Sequence, residues 1–362
     1  MTVTTAKPNT QSANHFIALT PGKLMGLRQI TDASNRFKVF ALDQSNSFKK
    51  ALRAMHEKAG KPAEPTYEEI RDAKLLMVKR LSFYASAVLL DVNYGARQCI
   101  SSFALPHGVG LIVRSEASKD AGVPSEYEPG WNVEKIKRMG ASAVKLLVYL
   151  DTENKDNVKA QIAFVEKLSN ECRQHDILLM TEELSFPRPG EEKTSPSYKT
   201  RKVKNIMEAT RLIGPHTDIL KLEFPGDIKN DSAQQLQDNL GKLNEAALRP
   251  WVLLSAGEKF DLFTKQVELA MKAGCSGYMA GRAIFNEYFE QSAGAAQDNF
   301  LQTTGVGRMK TLNRIVDTSA QPWLDRYGLK PQDIAAAVDP RWYIDGKAPK
   351  AAGKPSTVKG DY

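Results

Sequence analysis

Eight short, nearly continuous apolar runs recur along the chain, at 37–43 (FKVFALD), 86–91 (SAVLLD), 109–114 (VGLIVR), 143–151 (AVKLLVYLD), 176–182 (DILLMTE), 217–223 (TDILKLE), 250–255 (PWVLLS) and 276–281 (SGYMAG). Continuous rather than alternating apolar character is the mark of a parallel strand covered on both faces. The segments between them carry helical apolar spacing, which predicts helices at 158–174, 233–246 and 260–273; the last stops before Gly274, a residue suited to a helix C-terminus. Eight β–α units in roughly 250 residues fit a single (β/α)8 TIM barrel better than an open doubly wound sheet. No GxGxxG follows the first run, which argues against dinucleotide binding.

The ends read differently. Residues 1–20 and about 345–362 are rich in Ala, Lys, Thr, Pro and Gly, which predicts flexible extensions: an N-terminal arm at 1–22, a barrel at 23–330 and a C-terminal extension at 331–362. A longer insertion at 185–198 (SFPRPGEEKTSPSY) follows the fifth run, where barrel loops build the active-site face, so it is either a cover for the mouth or a plain connector.

Composition narrows the function classes. With 42% hydrophobic and 25% charged residues the chain has the balance of an ordinary globular protein, and no apolar run approaches the roughly 20 residues that span a bilayer. Met1–Asn14 is polar and lacks the apolar stretch of a secretory signal, so the expected location is cytoplasmic. Cys99, Cys172 and Cys275 are scattered in apolar or helical surroundings and read as buried thiols. The net charge of +8 gathers partly in the last 22 residues, where five cations face two carboxylates. A basic surface attracts anions, phosphorylated metabolites included, but no arginine-rich helix with interleaved aromatics suggests a nucleic-acid partner. The five histidines are dispersed without ligand spacing, so no metal and no cofactor is expected.

The chemistry lies in the polar residues set into apolar strands. Asp43, Asp91, Arg114, Lys145, Glu182, Lys221 with Glu223, and Ser255 stand within or at the C-terminal ends of seven of the eight runs, and Arg282 follows the eighth directly. In a barrel these positions converge on the mouth, and a charge in a buried strand is costly unless paired. Alternation puts Ile219, Lys221 and Glu223 on one face and Leu220 and Leu222 on the other; likewise Lys145 opposes Val144, Leu146 and Val148. Both lysines are therefore expected inside the barrel, each lowering the other's pKa to give a neutral nucleophilic amine. Such an amine forms an iminium with a ketone, and Glu182 on the intervening strand is placed to shuttle protons. The alternative is a structural Lys–Glu pair. Small turns after the last two strands, Ser255-Ala256-Gly257 and Gly281-Arg282, suit a phosphate, with backbone N–H groups and a bidentate guanidinium.

These residues resemble the class I tagatose-1,6-bisphosphate aldolases over about residues 30–328. The likeness runs through ALDQ at 41–44, EPT at 64–66, FYASAVLLDVNYG at 83–95, AVKLLVYLD, DILKLEFP at 218–225, LLSAG at 253–257, GRA at 281–283 and TTG at 303–305. The related sulfofructose-phosphate aldolases share much of the pattern. The resemblance implies that Lys221 is the Schiff-base lysine, Glu182 the acid/base and Lys145 the second barrel lysine. It further implies that Asp43 handles the C4 hydroxyl, with Gln44 among the substrate-binding residues. Ser255, Ala256, Gly257, Gly281 and Arg282 would then hold the phosphate of dihydroxyacetone phosphate. Two departures stand out: Ser45 follows Asp43-Gln44 where the family has an arginine, and Ala117 stands where it has a lysine. The expected activity is cleavage of a ketose 1,6-bisphosphate, tagatose first and fructose second, to dihydroxyacetone phosphate and glyceraldehyde 3-phosphate. A sulfofructose-phosphate substrate is the alternative. A sugar-phosphate-binding barrel without turnover is disfavoured, since a binder has no use for two inward lysines. The expected partner is a phosphorylated sugar; a homo-oligomer stays open. A last expectation is that Tyr362, closing a Lys- and Gly-containing tail, reaches the mouth as a proton relay, against the alternative of an ordinary chain end.

Overall fold

The computed structural model describes residues 19–330 apart from Ala63, together with Gln332 and Ile334. The apolar runs form eight strands: β1 (Phe37–Leu42), β2 (Ala87–Leu90), β3 (Gly110–Arg114), β4 (Ala143–Tyr149), β5 (Leu178–Leu184), β6 (Ile219–Leu222), β7 (Trp251–Leu254) and β8 (Gly277–Ala280). They close in chain order into a parallel barrel, β8 pairing back onto β1. Helices fall where the spacing predicts them. The 158–174 segment starts earlier, as Lys155–Gln174, because the Asn154 side chain caps the first turn by accepting from the Asn157 N–H. Ser232 does the same for Ala233–Ala246.

Alternation along the strands sorts side chains into two sets. Phe40, Val88, Val113, Val144, Leu146, Leu179, Leu220, Leu253 and Tyr278 pack outward in the cluster that includes the helices. Val39, Ala41, Leu89, Ile112, Ala143, Met180, Ile219, Val252 and Met279 fill the lumen. Two residues beyond members of the lumen set lie Asp43, Arg114, Lys145, Glu182 and Lys221, so the strand pleat lifts one charged layer directly above an apolar one.

The N-terminal face is sealed. Leu27 and Ile30 of the helix Pro21–Ile30, with Trp323, Leu324 and Tyr327, pack beneath the lumen set. The Lys23 ammonium donates to both oxygens of Asp218 at 2.8 Å, and the Tyr327 hydroxyl donates to the Asp218 carbonyl at 3.0 Å. Residues 19–22, counted with the arm from sequence, thus belong to this seal: Leu19 is buried and Pro21 opens the helix. Tyr362 lies outside the described residues. All three cysteines are buried thiols, and burial pushes Cys99 and Cys275 up to about 12. Among the described residues no helix is long and apolar enough to cross a membrane.

One buried carboxyl group stands apart from the mouth. Glu183 faces outward from β5, fully buried, and neither carboxyl oxygen has a hydrogen-bond partner among the described residues. Burial, and then the nearby charge of Glu223, hold its pKa well above the usual value of 4.5. Its folded form is therefore neutral where the unfolded form ionises, a contribution to stability complete below about pH 4.5 and lost as pH rises. Glu183→Gln should remove that slope. The gain in melting temperature over the parent should grow between about pH 4.5 and about pH 8; parallel curves for the two proteins would show that Glu183 is ionised in the fold.

Candidate active site

At the C-terminal ends of the strands lies a cavity of roughly 1080 Å³, lined by residues from every strand or following loop except those of β2. Asp43, Gln44, Arg114, Lys145, Glu182, Lys221, Glu223, Ser255, Ala256, Gly257, Gly281 and Arg282 all line it. Asp91 does not. It turns to the helix layer, fully buried, and pairs with Lys74 of the helix Tyr67–Leu81. Of the polar residues set into strands, this one is the structural ion pair.

The centre of the cavity floor is a charge lattice. Lys145 Nζ lies 3.0 Å from Asp43 Oδ2, 2.8 Å from Glu116 Oε1 and 2.8 Å from Glu182 Oε2. The same Glu182 Oε2 lies 2.8 Å from Lys221 Nζ, so one carboxylate oxygen bridges the two lysines. The arrangement follows from register, since Leu147 pairs with Glu182 and Glu182 pairs with Lys221 across adjacent strands. Burial disfavours the Lys145 ammonium, but the charges of Asp43, Glu116 and Glu182 together outweigh it and raise its pKa. This corrects the sequence-based expectation of two lysines lowering each other: Lys145 is a caged cation, because three carboxylates surround it where the sequence pattern suggested one.

The carboxylates differ among themselves. Burial would raise Asp43, yet Lys145, then Lys221 and Arg114, hold it well below the usual carboxylate range. Glu182 is likewise lowered by the two lysines against its burial. Glu116 is raised, because burial there exceeds the pull of Lys145 and Arg114; its Oε2 has no hydrogen-bond partner among the described residues. Glu116 escaped the reading of the sequence. It sits just past the third apolar run, and the signal for it was the pleat continued beyond the strand end, Ile112–Arg114–Glu116.

A second group occupies the ends of β7 and β8. Gly257 has φ +79°, and a Cβ there would come 2.9 Å from Arg282 Cζ. At Gly281 a Cβ would meet the Ala41 carbonyl oxygen at 2.3 Å and Gln44 Nε2 at 2.9 Å. These two glycines let the guanidinium and two loop backbones close on one corner of the cavity. Most cations lining the cavity have a carboxylate: Arg114 has Glu128, Lys119 has Glu126, Lys199 has Asp227 and Lys202 has Glu223. Among the described residues, Arg282, Lys193 and Lys229 line it with no carboxylate partner, which leaves them available to an anion.

Of the insertion at 185–198, Ser185, Phe186, Pro187, Lys193 and Tyr198 line the cavity, so it forms part of its wall. Arg188 anchors it with a bidentate pair to Asp151, both contacts 2.8 Å, and Arg201 pairs with Glu191. Among the described residues no group of three or more His, Cys, Asp or Glu side chains could hold a metal ion.

Comparison with known proteins bears on what this geometry serves. A family model described as DeoC/LacD family aldolase matches residues 39–287. Tagatose 1,6-diphosphate aldolase 2 of Streptococcus agalactiae serotype III is 28% identical over 334 residues, covering 86% of this chain and 100% of the relative. Tagatose 1,6-diphosphate aldolase of Lactococcus lactis subsp. lactis is 27% identical over 334 residues, with 86% and 100% coverage. Among solved structures, a fructose-bisphosphate aldolase from Slackia heliotrinireducens superposes with a TM-score of 0.56 at 13% identity, over 89% of this chain and 94% of that one. An archaeal fructose-1,6-bisphosphate aldolase, with its catalytic lysine bound to a carbinolamine intermediate, gives 0.53 at 16% identity, over 81% and 99%. At such identities the structural likenesses bear on the barrel alone.

The lattice makes its own prediction. Lys145→Met removes the cation shared by three carboxylates, whose folded pKa values then rise. Stability should fall by about 3–5 kcal/mol at neutral pH and by less near pH 5, where protonation relieves the repulsion. Urea denaturation at the two pH values measures the difference; an equal loss at both would mean that the carboxylates do not depend on Lys145 for their charge.

Proposed function

The chain belongs to the DeoC/LacD family of aldolases, and from that premise we propose that it cleaves a ketose 1,6-bisphosphate through a Schiff base on Lys221. The observation that carries the proposal is the single Glu182 oxygen lying 2.8 Å from both Lys221 and Lys145. A nucleophilic lysine must lose a proton at the moment it attacks, and here the acceptor already touches it.

The steps follow from the lattice. Lys221 gives a proton to Glu182 and attacks the C2 carbonyl, forming a carbinolamine. Glu182 returns the proton to the departing hydroxyl, releasing water and leaving an iminium. Lys145, kept charged by its carboxylates, supplies a fixed positive field and bridges Asp43 and Glu182. Asp43 accepts the C4 hydroxyl proton as the C3–C4 bond breaks and its electron pair enters the iminium, which becomes an enamine. The low pKa of Asp43 is no obstacle, because the breaking bond turns the hydroxyl into a protonated carbonyl, a far stronger acid than any carboxylic acid. The aldehyde leaves, the proton that Asp43 took passes on to Glu182, Glu182 delivers it to the enamine carbon, and water hydrolyses the iminium to free dihydroxyacetone phosphate and Lys221. Arg282, with Ser255, Ala256, Gly257 and Gly281, receives the C1 phosphate, and Gln44 packs against Gly281 beside it. Tagatose 1,6-bisphosphate is the proposed substrate, supported by relatives of that name aligned along their whole length, with fructose 1,6-bisphosphate accepted beside it. The two sugars differ at one hydroxyl, and a single contact discriminates modestly.

Borohydride added with dihydroxyacetone phosphate should fix a three-carbon adduct on Lys221, read by intact mass and peptide mapping. Lys221→Ala should abolish it, and cleavage should persist in excess chelator. An adduct on Lys145 alone would reverse the assignment of the two lysines.

Arg282→Ala should lower kcat/KM for the bisphosphate by about 1.5–3 kcal/mol, the worth of a charge-assisted bidentate contact. A substrate analogue lacking the C1 phosphate should lose much less. Equal losses on both would make Arg282 a structural residue.

A further inference from the structure

We propose that Lys74, which lies behind the cavity and lines no part of it, is a positioning residue that sets the Asp43 carboxylate by gripping the backbone on either side of it. Lys74 Nζ donates to the Leu42 carbonyl at 3.0 Å and to the Gln44 carbonyl at 2.9 Å, and its third partner is the Asp91 carboxylate. An ammonium has three donors, and all three are used. The carbonyl between them, that of Asp43, accepts from Arg114 Nη1 at 2.8 Å. Three consecutive carbonyls are thus held by two buried cations, one from the helix layer and one from the lumen side. Carbonyls alternate in direction along an extended chain, so a grip from both sides fixes the rotation of this segment as well as its position. The Asp43 side chain, left to point at Lys145, inherits that placement.

The grip is itself anchored. Asp91 Oδ1 accepts from the N–H groups of Asn93 at 2.9 Å and Tyr94 at 2.6 Å, so the counter-charge of Lys74 is fixed to the turn after β2. The Phe48 ring centroid lies 5.3 Å from Lys74 Nζ, and both Lys74 and Asp91 are fully buried. Burial drives the Lys74 ammonium toward its neutral form, and Asp91 opposes that most directly. A buried ion pair replaced by well-packed apolar residues is commonly neutral for stability or better. What apolar residues could not supply is two hydrogen bonds flanking one catalytic carboxylate. β2 is the strand that lends nothing to the cavity lining, and its contribution to the site is this anchor.

The proposal rests on the reading of Asp43 as acceptor of the C4 hydroxyl proton, which the enamine half-reaction does not require. Two rates separate the roles: solvent exchange at the enamine carbon of dihydroxyacetone phosphate, which needs Lys221 and Glu182, and cleavage of the bisphosphate, which also needs Asp43. Lys74→Met strands a buried carboxylate and risks the fold, so the main variant is Lys74→Met with Asp91→Asn, neutral at both positions and still able to cap the β2 turn. Asp43→Asn is the reference. The double variant should keep exchange within about 3-fold of the parent while cleavage falls about 10- to 100-fold, the cost of an acid/base group displaced by about 1 Å. Adding it to Asp43→Asn should lower cleavage no further. Exchange and cleavage falling by one common factor would report a smaller folded fraction and overturn the proposal, as would cleavage within about 2-fold of the parent. Full cleavage by Asp43→Asn would instead remove the reading of Asp43 on which the proposal stands, and absence of exchange in the parent would remove the Schiff-base reading itself.

Discussion

The mouth of this barrel is organised by a requirement of electroneutrality above a dry layer. Val39, Ile112, Met180, Ile219, Val252 and Met279 fill the lumen and exclude water, so each charge one pleat higher needs a counter-charge within contact distance. Lys145, Lys221 and Arg114 stand there against Asp43, Glu116 and Glu182. The balance confines each group's protonation: two carboxylates are held ionised, and Lys145 is held charged. Because the lattice satisfies its own cations, a phosphorylated ligand must be met by others. Arg282, Lys193 and Lys229 line the cavity with no carboxylate partner among the described residues, so in the proposed function binding and bond-breaking draw on separate sets of residues.

Much of this is legible in the sequence. Strands covered on both faces are short and uninterrupted in apolar character, so all eight could be placed, and a charge inside such a run announces itself. Lys145, Glu182 and Lys221 were found that way. Glu116 was not, because it follows the end of its strand, where the pleat continues but apolar contrast fades. Missing it also led to the wrong charge state for Lys145: two lysines facing each other depress both, whereas one lysine among three carboxylates is raised. Asp91 failed in the opposite sense. Its position at a strand end is the same as that of Asp43, and only the tertiary partner Lys74 decides that it turns to the helices.

The two faces of the barrel divide the labour. On the N-terminal face, buried contacts such as Lys23 with Asp218 and the packing of Trp323 and Tyr327 close the lumen. On the C-terminal face, strain and cost accumulate: glycines that admit no side chain, a carboxylate layer in need of cations, and three cations, Arg282, Lys193 and Lys229, with no carboxylate partner among the described residues. The contacts that close the lumen and the residues of the proposed site are therefore separated along the strand direction.

The wall built from 185–198 illustrates a further point. Its anchors, Arg188 on Asp151 and Glu153 and Arg201 on Glu191, are all contacts within the protein and take no part from a ligand. A segment that surrenders its conformational freedom during folding has none left to surrender when substrate arrives, so the ordering entropy is subtracted from the stability of the protein and not from its affinity.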